Sequence, residues 1–238
     1  MKTYQSNARF AGGLYVLGTV FGVTSAVVGG EVLSSIVSGK PLEGVDILGR
    51  VAANASQLNA GTFFTLLMGL SLAAMTIFLY PVFKKDSEEL AMGMLLFRGA
   101  IEGAGYLFMT LNFLTLIALA NEYAAAGTNL VALQSMGNVF YHYIDFIGPV
   151  HTITFLIGAV CLYVSFYRTK LIPRWLSIWG LIGVVPYFAY ALLHFFHLDT
   201  GYGFYLQMVL APQEIVMGLW LLIAGFNKAA VKKLDEAD

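Results

Sequence analysis

Three charged residues, Arg98, Glu102 and Glu214, stand near the middles of apolar runs long enough to cross a lipid bilayer. A charge at the centre of a membrane helix costs about 2.5–3.5 kcal/mol on insertion scales, so the three together oppose insertion by roughly the net stability of a whole domain. Residues kept at that cost are paired, solvated or used. Arg98 and Glu102 are four apart, which places them on one helix face as an ion pair. Gly99 and Gly103 have the GxxxG spacing that lets a second helix approach closely. Such a pair can fix helix packing, but it leaves the carboxylate of Glu214 in excess. A buried carboxylate in excess takes a proton or accepts a cation or a ligand ammonium. Pro212, two residues before Glu214, removes one helical hydrogen bond and frees a carbonyl in the preceding turn. Pro149 and Pro186 are placed to bend two other helices at similar depth.

The histidines suggest a different chemistry. His142 and Asp145 are three apart, as are His194 and His197, so four donors suited to Zn²⁺ could meet near one membrane surface. A membrane-embedded metal hydrolase would use some of these with Glu214, a carboxylate acting as general base. Against it, there is no HExxH pattern, and His151 points away from His142 on a straight helix. Satisfied or solvent-facing histidines are the simpler reading, and no metal is assigned. A histidine-rich outer region is poor support for haem. A retinal Schiff base is set aside because no lysine lies inside the apolar runs. No cofactor is therefore expected. The single cysteine, Cys161, excludes an intrachain disulfide and a CxxC motif and reads as a small packing residue.

The elements that must position these groups follow from composition. With 58% hydrophobic and 11% charged residues in 238, and a positive mean hydropathy, one soluble domain would expose far too much apolar surface. The expected fold is all-α, one polytopic membrane domain over residues 1–238 with the lipid bilayer as its partner. A net charge of -1 without a basic stripe gives no case for nucleic-acid binding. Apolar periodicity predicts six transmembrane helices at about 10–33, 60–83, 90–120, 140–167, 175–196 and 204–226, each meeting the roughly 20 residues that a crossing needs. The first follows Lys2 and Arg9 as a secretory signal would, but its apolar stretch is too long for a signal core and lacks a clear cleavage site. Two long connections remain. Residues 38–58 carry Leu42, Val45, Leu48 and Val51 at the spacing of a short interfacial helix, and residues 121–139 carry Leu130, Leu133 and Met136. Both are expected on the membrane surface. The segment 232–238 is a charged tail.

Ten of the thirteen Lys and Arg residues lie in the termini, the Lys84-Lys85 loop and the 168–174 loop, against Lys40 and Arg50 in the other three loops. The positive-inside rule then predicts both termini cytoplasmic. Trp175 and Trp179, just after Pro173, read as anchors at that interface. Counting along the helices places Arg98, His151 and Glu214 near mid-membrane, Glu102 one turn further out, and Glu31, His142, Asp145, His194 and His197 toward the outer ends. Arg98, Glu102, Gly105, Met109 and Asn112 form one stripe, and Gln207, Glu214 and Gly218 another. Both should face the bundle interior.

Tyr80-Pro81 with Lys84-Lys85, Arg98 with Glu102, the 170–180 stretch, Gln213-Glu214, Trp220-Leu-Leu-Ile and Gly225-Phe226, in that order, resemble the bacterial domain-of-unknown-function family four-three-eight-six. The resemblance covers nearly the whole chain. Where many relatives are expected to have a lysine before the final Gly-Phe, this chain has Ala224. The family implies a six-helix protein of the bacterial plasma membrane and brings no activity with it. On the residues alone, Arg98, Glu102, His151 and Glu214 are expected to line an intramembrane cavity that binds, transports or senses a small polar molecule, an ion or a lipid. The alternatives are the metal hydrolase and a packing or partner-interaction protein without a ligand site. Three helices on either side of the middle loop would have inverted topology, with Glu102 and Glu214 on corresponding third helices.

Overall fold

The computed structural model describes residues 2–38, 42, 46–126, 128–198 and 203–236. Helices α1 (Lys2–Val28), α2 (Gly30–Ser38), α3 (Ile47–Ala53) and α4 (Ala55–Phe83) are followed by α5 (Glu88–Gly93). A π-helical segment, Met94–Ile101, runs on from α5 into α6 (Glu102–Ala125). Then come α7 (Leu130–Thr169), α8 (Arg174–Phe195), α9 (Gly203–Gln207), α10 (Ala211–Ile223) and α11 (Lys228–Glu236). Six helical stretches are long and apolar enough to cross a membrane: Thr3–Val28, Ala55–Phe83, Glu88–Ala125, Leu130–Thr169, Arg174–Phe195 and Tyr205–Ile223. The all-α, six-span expectation therefore holds.

Successive spans are neighbours. α1 lies on α4, α4 on the π segment and α6, these on α7, α7 on α8, and α10 returns to both α8 and α1, closing a ring. Small residues set the closest approaches. A Cβ at Gly12 would meet the Gly218 carbonyl oxygen at 2.7 Å, so α1 and α10 touch backbone to backbone. A Cβ at Gly99 would lie 2.6 Å from Thr76 Oγ1, and one at Gly103 3.2 Å from Ala73 Cβ. The predicted GxxxG face is thus the seat of α4.

Two apolar clusters fill the ring. One gathers Ala8, Ala11, Tyr15, Met75, Leu79, Leu162 and Phe166 toward the lysine- and arginine-rich end, with the half-buried Cys161 packed against it. The other gathers Val32, Leu48, Val51, Leu58, Phe113 and Leu116 toward the opposite end. The chain ends meet at the first of these. Gln5 Nε2 donates to the Phe226 carbonyl at 2.6 Å, and the Phe226 N–H donates to Gln5 Oε1 at 3.1 Å. Lys85 and Asp235 add an ion pair at 3.0 Å that ties α11 to the turn after α4.

Three sequence expectations need correction. The 121–139 connection is helix almost throughout, because α6 runs to Ala125 and α7 begins at Leu130, with Leu133 on the second cluster. Leu48 and Val51 do form a short helix, but both are buried against α6 and α7 and do not lie on lipid. Val45 of that expected helix is outside the described residues. The sixth span is not continuous: α9 ends at Gln207, a turn occupies 208–210, and α10 starts at Ala211. Pro212 stands in the first turn of α10, where its missing N–H costs no intrahelical bond.

Candidate functional site

The break in the sixth span and the π segment in the third both occur where the charged residues sit. Arg98 lies within the π segment and Glu102 is the first residue of α6, while Glu214 is in the first turn of α10. π segments are uncommon and concentrate at functional positions. A carboxylate in the first turn of a helix, as Glu214 is, faces the positive end of its dipole. The Trp179 indole N–H donates to the Val209 carbonyl at 3.0 Å, supplying a partner to backbone freed by the break. Gln213 Nε2 donates to the Leu176 carbonyl at 2.9 Å and fastens α10 to α8.

From these elements four side chains converge. Arg98 Nη1 donates to both carboxylate oxygens of Glu102, each at 2.8 Å. Its Nη2 donates to the Tyr15 hydroxyl at 2.7 Å and to Glu214 Oε1 at 2.9 Å. The Tyr15 hydroxyl in turn donates to Glu214 Oε1 at 2.5 Å. The guanidinium is also 4.3 Å from the Phe155 ring centroid, within cation–π range. Gly158 of α7 makes room for it. A Cβ there would lie 2.8 Å from Arg98 Cβ and 2.9 Å from its Cα.

Charge-assisted bonds of this kind offset the desolvation of a buried ion only when nearly all its donors are satisfied. Two atoms of the cluster fall short. Arg98 Nε and the Tyr163 hydroxyl are buried without a hydrogen bond of standard geometry. Exposure divides the cluster as well: the Arg98 and Glu102 side chains are 2% exposed and the Glu214 side chain 21%. With all three ionised the centre carries one excess negative charge, held on the one carboxylate that reaches beyond the packed interior.

The sequence prediction of an Arg98–Glu102 contact inside the bundle is met, and Glu214 joins it. Tyr15 was missed, because a neutral phenol in an apolar run stands out by neither charge nor spacing. A usable signal was present: Ala8, Ala11, Gly12 and Tyr15 recur at helical spacing, and Ala8, Ala11 and Tyr15 are buried. His151 is adjacent but the hydrogen-bond contact of its ring is to backbone, its Nε2 lying 3.2 Å from the Glu102 carbonyl oxygen, and the ring packs on Tyr106 at 4.6 Å. Arg98 and Glu102 are packed into one another and do not face an open polar cavity. Of the two stripes, Arg98, Glu102, Gly105, Asn112 and Gly218 are buried, whereas Met109, Gln207 and Glu214 are partly so.

The outer histidines do not assemble as the metal reading expected. His142 Nδ1 pairs with Asp145 Oδ2 at 3.0 Å on the surface. His194 packs beside Tyr190, and His197 meets the edge of Phe146. Among the described residues no group of three His, Cys, Asp or Glu is placed to hold a metal ion.

A protein-family model described as Domain of unknown function (DUF4386) matches residues 10–225. Neither the curated proteins nor the solved structures contain a match to the chain.

Proposed function

The chain belongs to the family described as domain of unknown function DUF4386, and we propose that it binds, transports or senses a small polar or cationic species, or a lipid carrying one, at the Arg98–Glu102–Glu214–Tyr15 centre. The observation that carries this reading is the division of exposure, with Arg98 and Glu102 locked together and 2% exposed while Glu214 is 21% exposed. Glu214 is the acceptor through which an incoming positive group replaces part of its contact with Arg98. Arg98 Nε is a buried donor without a hydrogen bond beside it, suited to a ligand that also carries an acceptor. His151 positions this centre through the Glu102 carbonyl and does not meet the ligand directly. A cleft of about 290 Å³ on α1 includes Val16 and Ile215, the residues that follow Tyr15 and Glu214 in the chain. Support also comes from the backbone. Both third helices of the two halves depart from α geometry beside their carboxylate, as helices around intramembrane sites do.

Thermal stability of the purified protein in detergent, with sodium, potassium or tetramethylammonium chloride at constant ionic strength, tests this reading. A ligand that binds only the folded form, at a hundredfold excess over Kd, contributes about 2.7 kcal/mol, or about 5–10 °C in Tm for a chain of this size. The wild type should respond to at least one of the three cations. Glu214→Gln keeps the side-chain volume and the Tyr15 bond, so it should fold and show no response. A wild type indifferent to all three, or a Glu214→Gln protein that responds as the wild type does, overturns the reading. The second outcome would favour a cluster that only pins α1, α6 and α10 together, a role in keeping with the burial of the Arg98–Glu102 pair.

We further propose that both termini face the cytoplasm of a bacterial plasma membrane. The adjacency of Gln5 and Phe226 supports a common side, and the loop cations choose which side it is. Cysteines introduced at 131 and 233 should label from opposite faces of intact membranes, with 233 protected in sealed cells. Labelling of both from one face would refute the topology.

A further inference from the structure

At the lysine- and arginine-rich end of the bundle, the turn joining α7 to α8 and the end of α10 enclose a cleft of about 520 Å³ remote from the Glu214 centre. Lys170, Arg174, Trp220, Gly225 and Asn227 are among its lining residues. The Asn227 N–H donates to the Leu171 carbonyl at 2.8 Å, joining the two walls of the cleft. We propose that this cleft binds the phosphate headgroup of an anionic membrane lipid.

Charge complementarity is the first argument. Three cations at this end are neutralised in pairs, Lys85 by Asp235 at 3.0 Å, Arg168 by Asp86 at 2.9 Å and Lys232 by Glu236 at 3.6 Å, and Lys84, Lys228 and Lys233, without a salt bridge among the described residues, lie outside the cleft. Among the described residues neither Lys170 nor Arg174 has a salt bridge, and no carboxylate lines the cleft. Arg174 is held in place by its neighbours. Its guanidinium lies 4.7 Å from the Tyr167 ring centroid and its Nε donates to the Tyr167 carbonyl at 3.4 Å, leaving the terminal nitrogens for an anion.

Backbone geometry is the second argument. Lys170 has φ 56°, in the left-handed region where glycine is the favoured residue. A lysine at that position adopts a backbone conformation that costs more with a Cβ than it does for glycine. Its role in meeting the last carbonyls of α7 would be served as well by any cation one turn earlier, and Arg168 already stands in that turn.

Depth is the third argument. Trp175 and Trp220 are exposed at this level, 51% and 36%, and Trp175 stacks on Trp179. Amphipathic indoles of this kind settle at the headgroup layer, which puts the two cations where lipid phosphates lie.

Native mass spectrometry and lipid titration in zwitterionic detergent, with phosphatidylglycerol as the probe and phosphatidylethanolamine as the neutral control, decide the question. Lys170→Gly removes the charge and relieves the backbone, so misfolding cannot explain its effect. With each surface cation contributing about fivefold to anionic-lipid affinity, Lys170→Gly and Arg174→Gln should each weaken phosphatidylglycerol binding about fivefold and the pair about twenty-five-fold. Lys232→Gln/Lys233→Gln, outside the cleft, should stay within about twofold of the wild type on the same scale. Equal losses in that control, or no loss in the cleft variants, would overturn the proposal. Full displacement of the lipid by millimolar inorganic phosphate would also overturn it, by identifying a free-anion site.

Discussion

Arg98→Met is expected to lower stability in detergent by about 3–5 kcal/mol, and the double substitution Arg98→Met/Glu102→Leu is expected to lower it by less. Arg98 contacts two carboxylates, Glu102 at 2.8 Å and Glu214 at 2.9 Å. Without it both are left inside the bundle with no counter-charge, and Glu102, 2% exposed, cannot reach water. Removing Glu102 as well replaces the buried pair by apolar volume and leaves only Glu214, which keeps the Tyr15 hydroxyl and partial exposure. Glu102→Leu alone should be milder than Arg98→Met, because the guanidinium retains Glu214 and Tyr15. Denaturation in mixed micelles measures all three. Losses that simply add would show that the two residues are not coupled.

Gly158→Ala should destabilise by about 2–3 kcal/mol although alanine favours helix over glycine by about 1 kcal/mol. The new Cβ would be within 2.9 Å of Arg98 Cα, and the obstructing atoms include backbone that cannot rotate away. The π segment would have to move off α7, carrying the guanidinium from its place over Phe155. Gly103→Ala is the comparison. Its Cβ meets only Ala73 Cβ at 3.2 Å, and its effect should stay within about 1 kcal/mol of zero. Similar losses at both positions in a melting experiment would mean that the α7 contact does not set the position of Arg98.

Much of this protein is legible without coordinates because the bilayer imposes simple rules. Length and hydropathy identify the six spans, since a crossing helix must satisfy its backbone internally and remain apolar over a fixed thickness. The i,i+4 relation of Arg98 and Glu102, and the requirement that both turn inward, follow from the cost of charge in lipid. The GxxxG seat on α4 was likewise legible. Family membership could be read from the order of motifs along the chain.

Relations between distant residues were not legible. Tyr15 and Glu214 are 199 positions apart. They meet only because Gly12 and Gly218 let α1 and α10 close backbone to backbone, a contact that no local pattern encodes. The π segment and the break before Ala211 are likewise tertiary outcomes. Hydrophobic periodicity reports which face is buried, and it is blind to one inserted residue in a turn or to a carbonyl rescued by an indole 30 residues away. The histidines show the same limit from the other side. Their three-residue spacing is correct within each helix, yet α7 and α8 set His142 and Asp145 on the surface while His194 and His197 pack on aromatic rings. Sequence by itself determined which residues the bilayer would not tolerate facing lipid. Tertiary structure decided which partners meet them, because that depends on how closely neighbouring backbones can approach, and the small residues that permit it are read only from both helices at once.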